Sequence, residues 1–379
     1  MSKVIVLGAG MVGSAMAIDM AKQHQVTLTD LSRSTLNKVK DKFSDLAIQQ
    51  LDVTDVKALQ RIVKQHDLVI NAVPGFLGFE TLRAIIEADM NVIDIAFFPE
   101  NSLELDALAK KHNVTAIVDC GVAPGMDNVI LGYYNEIMKL TDFECLVGGL
   151  PKTKKWPFCY KAPFSPIDVI EEYTRPARYV ENGEVVVREP LTDCEYVEFD
   201  KVGTLESFNS DGLRSIIHTM PNIPNMKEKT LRYPGHVEYV KVLKESGFFD
   251  TEKIMVKGNM VSPLDFTCQV LFNEWKLGDT EEEITVMRVT LKGKNASGQK
   301  EELVYTLHDE YNTETETSSM ARTTGYTATA AANLFLEGLF SKKGVFPPEL
   351  VGKHRACFNY FLSYLAERNI HYTKSTRLI

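Results

Sequence analysis

The stretch VIVLGAGMVGSAMA, beginning at Val4, restricts the fold of this chain more tightly than any other part of the sequence. Apolar residues Val4–Leu7 lead into Gly8, Gly10 and Gly13 at G-x-G-x-x-G spacing, and helical periodicity follows. The spacing alone is a weak signal. Between a strand and a helix it becomes a phosphate cradle. Gly8 permits the tight turn, Gly10 lets a pyrophosphate approach the backbone, and Gly13 lets the helix lie close on the strand. Met11 and Val12 open that helix, whose N-terminus faces the phosphates.

The next hundred or so residues repeat the same alternation. Apolar runs at Lys3–Leu7, Val26–Thr29, Ala47–Gln50, Leu68–Ala72, Asn91–Asp94 and Thr115–Val118 are separated by helical patterns. Those patterns fall at Ser34–Phe43, Val56–Lys64, Phe79–Ala88 and Ser102–Lys111. Such alternation predicts a parallel sheet with helices on both faces, a Rossmann-type doubly wound α/β domain. Asp30 closes the second strand, where a carboxylate accepts from both ribose hydroxyls and repels a 2′-phosphate. That favours NAD over NADP, although Arg33 lies within reach of a phosphate. Ligands of these sheets bind beyond the carboxyl ends of the strands. The rule puts Asp52 and Val53 at the adenine edge, and Ala72, Val73 and Pro74 beside the nicotinamide ribose. Asp52 serves equally well as a helix cap.

After Gly125 the pattern changes to longer alternating strands, clearest at Ile284–Gly293 and Lys300–Asp309. Thr285, Met287, Val289 and Leu291 share one face, which predicts an antiparallel sheet with its other side solvated or facing a second subunit. From about Met320 the pattern turns helical again, at Thr327–Leu339 and Ala356–Arg368. The expected plan is a dinucleotide-binding domain over 1–125, an inserted α+β substrate and oligomerisation domain over 126–319, and helices over 320–379 that return to the first domain. A homodimer or dimer of dimers would be built on the second sheet.

Composition narrows the function. A chain of 379 residues exceeds what one core usually supports. Its net charge of -9, without a basic stripe, disfavours nucleic acid and anionic membrane as partners. The six cysteines form no CxxC pair and none sits beside a histidine at ligand spacing, so no metal site is expected. The opening MSKVIVLGAG runs straight into a strand, and no apolar run approaches the ~20 residues a bilayer requires. A cytoplasmic protein without a leader is the expectation.

Eight fragments, in order along nearly the whole chain, carry a family resemblance. They are AVPGFLGFETL (72–82), VIDIAFFPENSLEL (92–105), DCGVAPGMDNVILG (119–132), VGGLPK (147–152), VIEEYTRPARYVENGE (169–184), SDGLRS (210–215), KTLRYPGH (229–236) and SSMARTTGYTA (318–328). The chain thereby resembles the saccharopine dehydrogenase-like family, and within it the L-lysine 6-dehydrogenases. The resemblance implies NAD-dependent oxidative deamination of the ε-amine of L-lysine to allysine, which cyclises to a piperideine carboxylate as ammonia leaves. Other members form saccharopine from allysine and glutamate, or act on carboxylated polyamine precursors. All exchange hydride between the nicotinamide and a carbon bearing nitrogen.

That chemistry asks for particular side chains. Lysine titrates near about 10.4, so holding its amine neutral at pH 7 costs roughly 4–5 kcal/mol. A desolvated pocket with a proton acceptor meets that demand. Phe76, Phe79, Phe97 and Phe98 are candidates for its dry wall. Asp94 and Asp127 are the candidate proton acceptors or ammonium anchors, each with a capping role as the alternative. Arg214 is the expected carboxylate clamp, with Arg232 and His236 behind it. Glu171 and Glu172 read as solvated or salt-bridged. Saccharopine-forming relatives have LDPG where this chain has VAPG, so Ala123 replaces an acid. They also prefer NADP, and both departures favour lysine, whereas Asp127 leans toward the saccharopine pattern. A saccharopine or carboxynorspermidine dehydrogenase is the second reading, with Arg175 or Arg178 holding a further carboxylate. A catalytically silent NAD-binding regulator is the third.

Overall fold

The computed structural model describes residues 1–163, 166–278 and 280–379. Six strands fall within the first 117 residues: β1 (Lys3–Leu7), β2 (Gln25–Asp30), β3 (Ala47–Gln50), β4 (Leu68–Asn71), β5 (Val92–Asp94) and β6 (Thr115–Ile117). Later come β7 (Lys139–Pro151), β8 (Ala177–Glu181), β9 (Glu184–Arg188), β10 (Glu195–Phe199), β11 (Gly203–Asn209) and β12 (Asn225–Arg232). The last are β13 (Ile254–Val256), β14 (Asn259–Val261), β15 (Glu283–Lys294), β16 (Lys300–Glu310), β17 (Gly344–Phe346) and β18 (Tyr372–Leu378).

The first sheet runs β3-β2-β1-β4-β5-β6-β17, parallel throughout. This is the doubly wound order, with a seventh strand recruited from residue 344 onward. Strand order reverses between β1 and β4, so the crevice for a ligand opens beyond Leu7 and Asn71. The helices are started by local capping. Ser32 accepts from the Thr35 N–H ahead of Arg33–Lys42, and Asp55 accepts from the Ala58 N–H ahead of Val56–Val63.

The second sheet follows β10-β11-β12-β7-β15-β16-β18, with β8 and β9 attached through β12. It is antiparallel apart from the β12–β7 pair, whose parallel register sets Glu228 beside Cys145. The expected hairpin is present: Thr285, Met287, Val289 and Leu291 are buried together on β15.

The carboxyl-terminal region departs from the expected helical return in one way. Its long helix, Ser319–Leu336, begins where the pattern turns helical, at about Met320, capped by the Ser318 hydroxyl. Its first turns are polar in sequence, yet Thr323, Thr327 and Thr329 are buried, and the Thr323 and Thr327 hydroxyls bond carbonyls one turn back. The clearest apolar periodicity therefore starts later, at Thr327. The departure is that the chain does not end in helix. After Arg355–Ala366 it crosses to the second sheet, where β18 pairs with β16. The region past 320 thus serves both sheets.

Candidate active site

A cleft of about 520 Å³ opens over the carboxyl ends of the first sheet and is roofed by the second. Its cofactor half is lined by Gly8, Gly10, Met11, Val12, Gly13, Asp30, Ala72, Val73 and Pro74. Gly8 has φ +101°, and a Cβ there would stand 2.5 Å from the Ala72 carbonyl oxygen. A Cβ on Gly13 would meet the Gly8 carbonyl oxygen at 2.0 Å. A Cβ on Gly10 would meet nothing within 4 Å, so the missing side chain leaves open space on the cleft side. The Asp30 carboxylate accepts from the Ala9 and Ser32 N–H groups, both at 2.8 Å, which locks it against the glycine loop. Together these residues fit a nicotinamide dinucleotide: a backbone cradle for the pyrophosphate and a fixed carboxylate for a ribose. Asp52 and Val53 do not line the cleft. Asp52 is exposed and accepts from the Thr54 N–H and hydroxyl, so its observed role is the turn before the next helix.

The substrate half is built by four pieces. Strand β12 contributes Glu228, Thr230 and Arg232, alternate residues that share one face of the strand. The helix Pro166–Thr174 and the residue after it bring Glu171, Glu172 and Arg175. The turn after β11 brings Ser210, Asp211 and Gly212, and Asp119 follows β6. Phe97 is the aromatic of the expected dry wall that reaches the cleft, and Arg175 lies over its ring at 5.2 Å. Phe79 and Phe98 pack edge to face beneath, and Phe76 is exposed.

Arg232 is held from several sides. Its guanidinium pairs with Glu172 at 2.5 Å, donates to the Tyr173 hydroxyl and lies over the Tyr160 ring. His236 stands one layer behind. Its Nδ1 lies 3.0 Å from the Phe158 carbonyl and its Nε2 2.9 Å from the Tyr173 hydroxyl. A carbonyl only accepts, so Nδ1 carries the proton and Nε2 accepts from Tyr173. Burial, with the Arg232 charge behind it, pushes the imidazole down to about 3. The ring is neutral at pH 7, lies outside the cleft lining, and orients Tyr173 instead of meeting a substrate carboxylate.

Three further expectations are relocated. Arg214 is turned away from the cleft: its Nε donates to Asp119 at 2.8 Å and its Nη1 to the Phe98 carbonyl at 2.7 Å. Both bonds lie inside the protein, so the arginines facing the cleft are Arg175 and Arg232. Asp94 is fully buried below the floor, accepting from the Asn71 amide and the Ala96 N–H. Burial raises its carboxyl to about 7 against those bonds. It positions the Ala96 segment and does not reach the cleft. Asp127 is also fully buried, one oxygen accepting from the Gly125 N–H ahead of the helix Met126–Ile137. Sequence reading missed Glu228, Asp119 and Asp211. The signal for Glu228 was available: counting back in twos from Arg232 along a strand lands on Thr230 and Glu228.

A doubly wound sheet with a glycine cradle, facing a polar cleft under a second sheet, defines a nicotinamide-dependent oxidoreductase. Sequence profiles make that class specific. The saccharopine dehydrogenase NADP binding domain matches residues 4–117, and the saccharopine dehydrogenase C-terminal domain matches residues 121–370. The chain belongs to the saccharopine dehydrogenase family, enzymes that oxidise or form a carbon–nitrogen bond in amine and amino-acid substrates. It is 24% identical over 376 residues to carboxyaminopropylagmatine dehydrogenase of Synechocystis, covering 92% of each chain. It is 26% identical to the L-glutamate-forming saccharopine dehydrogenase of Pyricularia oryzae, over 66% of this chain and 58% of that one. In fold it is similar to the apo L-glutamate-forming saccharopine dehydrogenase of Saccharomyces cerevisiae, with TM-score 0.81, 19% identity and full coverage of both chains. The homospermidine synthase of Legionella pneumophila in complex with NAD gives TM-score 0.70 at 13% identity, over 100% of this chain and 91% of that one. No helix among the described residues is long and apolar enough to cross a membrane.

Proposed function

We propose that the protein is an NAD-dependent dehydrogenase of a secondary amine that joins a carboxylate-bearing arm to a cationic arm, as in carboxylated polyamines. The observation that carries this reading is the charge balance of the substrate half. Asp119, Glu171, Glu172, Asp211 and Glu228 line it with Arg175 and Arg232; Asp119 pairs with Arg214, Asp211 with Arg178, Glu171 with Arg175 and Glu172 with Arg232, which leaves Glu228 as the lining acid without an arginine. An acid without an arginine beside it suits a substrate amine, and the two arginines of the lining give the substrate's carboxylate an anchor. The relative that matches along 92% of its length acts, by its name, on a carboxyaminopropyl derivative of agmatine, a molecule of this charge pattern. NAD as the cofactor rests on Asp30, whose fixed carboxylate would repel a 2′-phosphate. When bound, the dinucleotide supplies the hydride acceptor.

L-Lysine is the second reading. Its ε-amine would also suit Glu228, but the clamp expected for it, Arg214, is engaged by Asp119 and lies outside the cleft lining. A panel of L-lysine, saccharopine, carboxynorspermidine and carboxyaminopropylagmatine, followed by NADH absorbance at alkaline pH, decides between them. Turnover confined to the carboxylated polyamines is the expected result. Robust turnover of lysine alone, or of tricarboxylic saccharopine alone, overturns the first reading. We also propose a homo-oligomer. The outer face of β15 and β16 carries Arg288, Lys292 and His308, so the more apolar exposed surface lies instead on β13 and β14, at Ile254, Met255 and Met260. Sedimentation showing only a 42.6 kDa species at micromolar concentration would count against it.

A further inference from the structure

Glu228 is 4% exposed, lies in the cleft lining, and has one carboxylate oxygen, Oε2, that no donor reaches. Behind it is Asp127, fully buried, whose Oδ2 is likewise without a partner. Carboxylate atoms of both, with the Cys145 sulfur, lie within 4.8 Å of one another. Three structural features bring them together. The parallel register of β12 and β7 sets Glu228 beside Cys145. The Gly125 N–H holds Asp127 at the head of its helix. Gly212 makes room, since a Cβ there would stand 1.9 Å from Oε1 of Glu228.

Two carboxylates, each with an oxygen that no donor reaches, cannot both stay ionised so close together in a dry site; a shared proton is the low-cost way to hold them. Burial first, then the charges of Asp127, Asp211 and Glu172, push the Glu228 carboxyl well above its ordinary range, with Arg214 pulling the other way. Burial raises Asp127 in the same direction, with Glu349 adding to it. The Tyr372 hydroxyl, also buried and unpartnered, feels the charges of Asp127, Asp309 and Cys145. Tyr179 donates to the Glu228 backbone carbonyl and does not touch its carboxyl group.

We infer that Glu228 is the group that carries the substrate's proton, and that Asp127 and Cys145 are positioning residues that keep this proton at the cleft wall. The inference rests on the amine-dehydrogenase reading above. In the oxidative direction the Glu228 carboxylate takes a proton from the secondary ammonium, leaving the neutral amine and a Glu228 carboxylic acid. The C–H bond next to nitrogen then breaks, its hydride passing to the oxidised dinucleotide, and the nitrogen lone pair forms the C=N bond of an iminium. The reverse adds hydride to the iminium carbon, and the amine formed takes the proton back from Glu228. Asp94 has no part in this, being bonded below the floor.

The test is the pH dependence of kcat for amine oxidation by the full-length protein, with the Glu228→Gln, Asp127→Asn and Gly212→Ala variants. Wild type should lose rate on the acid side with a slope of one as Glu228 protonates. Glu228→Gln should lower kcat about 100-fold and abolish that limb. Asp127→Asn should move the limb to lower pH, because a neighbouring negative charge is gone. Gly212→Ala should lower kcat by displacing the carboxylate. All three should still bind NAD, showing that the fold is intact. A readout independent of turnover is the infrared carboxyl band lost in Glu228→Gln, which should titrate well above the ordinary carboxylate range. Glu228→Gln within threefold of wild type, with its acid limb in place, overturns the inference. So does a Glu228 band that titrates near the ordinary value, or a stoichiometric divalent metal in the purified protein that Glu228→Gln releases. Wild type that oxidises no amine in the panel fails differently, by removing the reading on which the inference rests.

Discussion

Asp30 is the residue on which the proposed preference for NAD over NADP rests. Its two oxygens are fixed by the Ala9 and Ser32 N–H groups, so the charge cannot swing away from an incoming 2′-phosphate. Asp30→Ala should weaken NAD several-fold and narrow the gap to NADP, read as the ratio of the two dissociation constants. Wild type binding NADP tenfold more tightly than NAD would refute the assignment. The cofactor half was legible because it is made of backbone and one carboxylate at fixed offsets from a strand end. Gly8, Gly13 and Asp30 each answer a steric or electrostatic demand that sequence spacing expresses directly. The substrate half was less so. Arg214 looks in sequence like a free guanidinium, and only the fold shows Asp119, 95 positions away along the chain, bonded to it. His236 was invisible as a buried neutral ring for the same reason: its partners, Phe158 and Tyr173, come from other elements.

Elements show the same division between what is local and what is not. Strands β1 and β3 coincide with their predicted runs, because short apolar stretches between turn residues leave few alternatives. The parallel β12–β7 pair and the recruitment of β17 depend on partners distant in sequence, and no periodicity reports them. Contact between the first helix, Met11–Ala21, and the carboxyl-terminal helices is a case where burial and charge combine. Asp19, 2% exposed, accepts from the Arg368 guanidinium at 2.9 Å and from the Thr329 and Tyr364 hydroxyls at 2.7 and 2.8 Å. Burial pushes its carboxyl up, but the Arg368 charge and these hydrogen bonds outweigh that and hold it below 3.8. A carboxyl depressed in the folded state contributes its full stability above the unfolded value of about 3.9, and loses it as pH falls through the folded value. Asp19→Asn leaves Arg368 without its counter-charge and should cost about 3 kcal/mol between pH 5 and 8. The gap to wild type should close as pH falls below about 4. Urea titrations across that range measure it, and a gap that stays constant down to pH 2 would show that Asp19 acts by shape alone.

At the scale of the molecule, two sheets with separate topologies would ordinarily suggest two units that melt apart. The packing argues otherwise. One continuous hydrophobic core runs from Val4, Val6 and Leu28 of the first sheet, through Val129 and Ala331 on helices between them, to Phe143, Met287 and Leu303 of the second. The chain then passes back across this core, adding β17 to one sheet and β18 to the other. Neither sheet can lose its packing without exposing apolar surface of the other, so unfolding should be a single cooperative transition. Calorimetry should give a van't Hoff enthalpy equal to the calorimetric one. NAD, although its candidate site lies mainly on the first sheet, should raise the stability of the whole, by about 2.7 kcal/mol at a hundred times its dissociation constant. Circular dichroism in the near ultraviolet offers a second view, since Trp275 lies in the second unit, far from the glycine loop in sequence. Its signal should shift to higher temperature with NAD by the same amount as the far-ultraviolet signal. Two resolved transitions, only one of them moved by NAD, would mean that the shared core is not enough to couple the sheets.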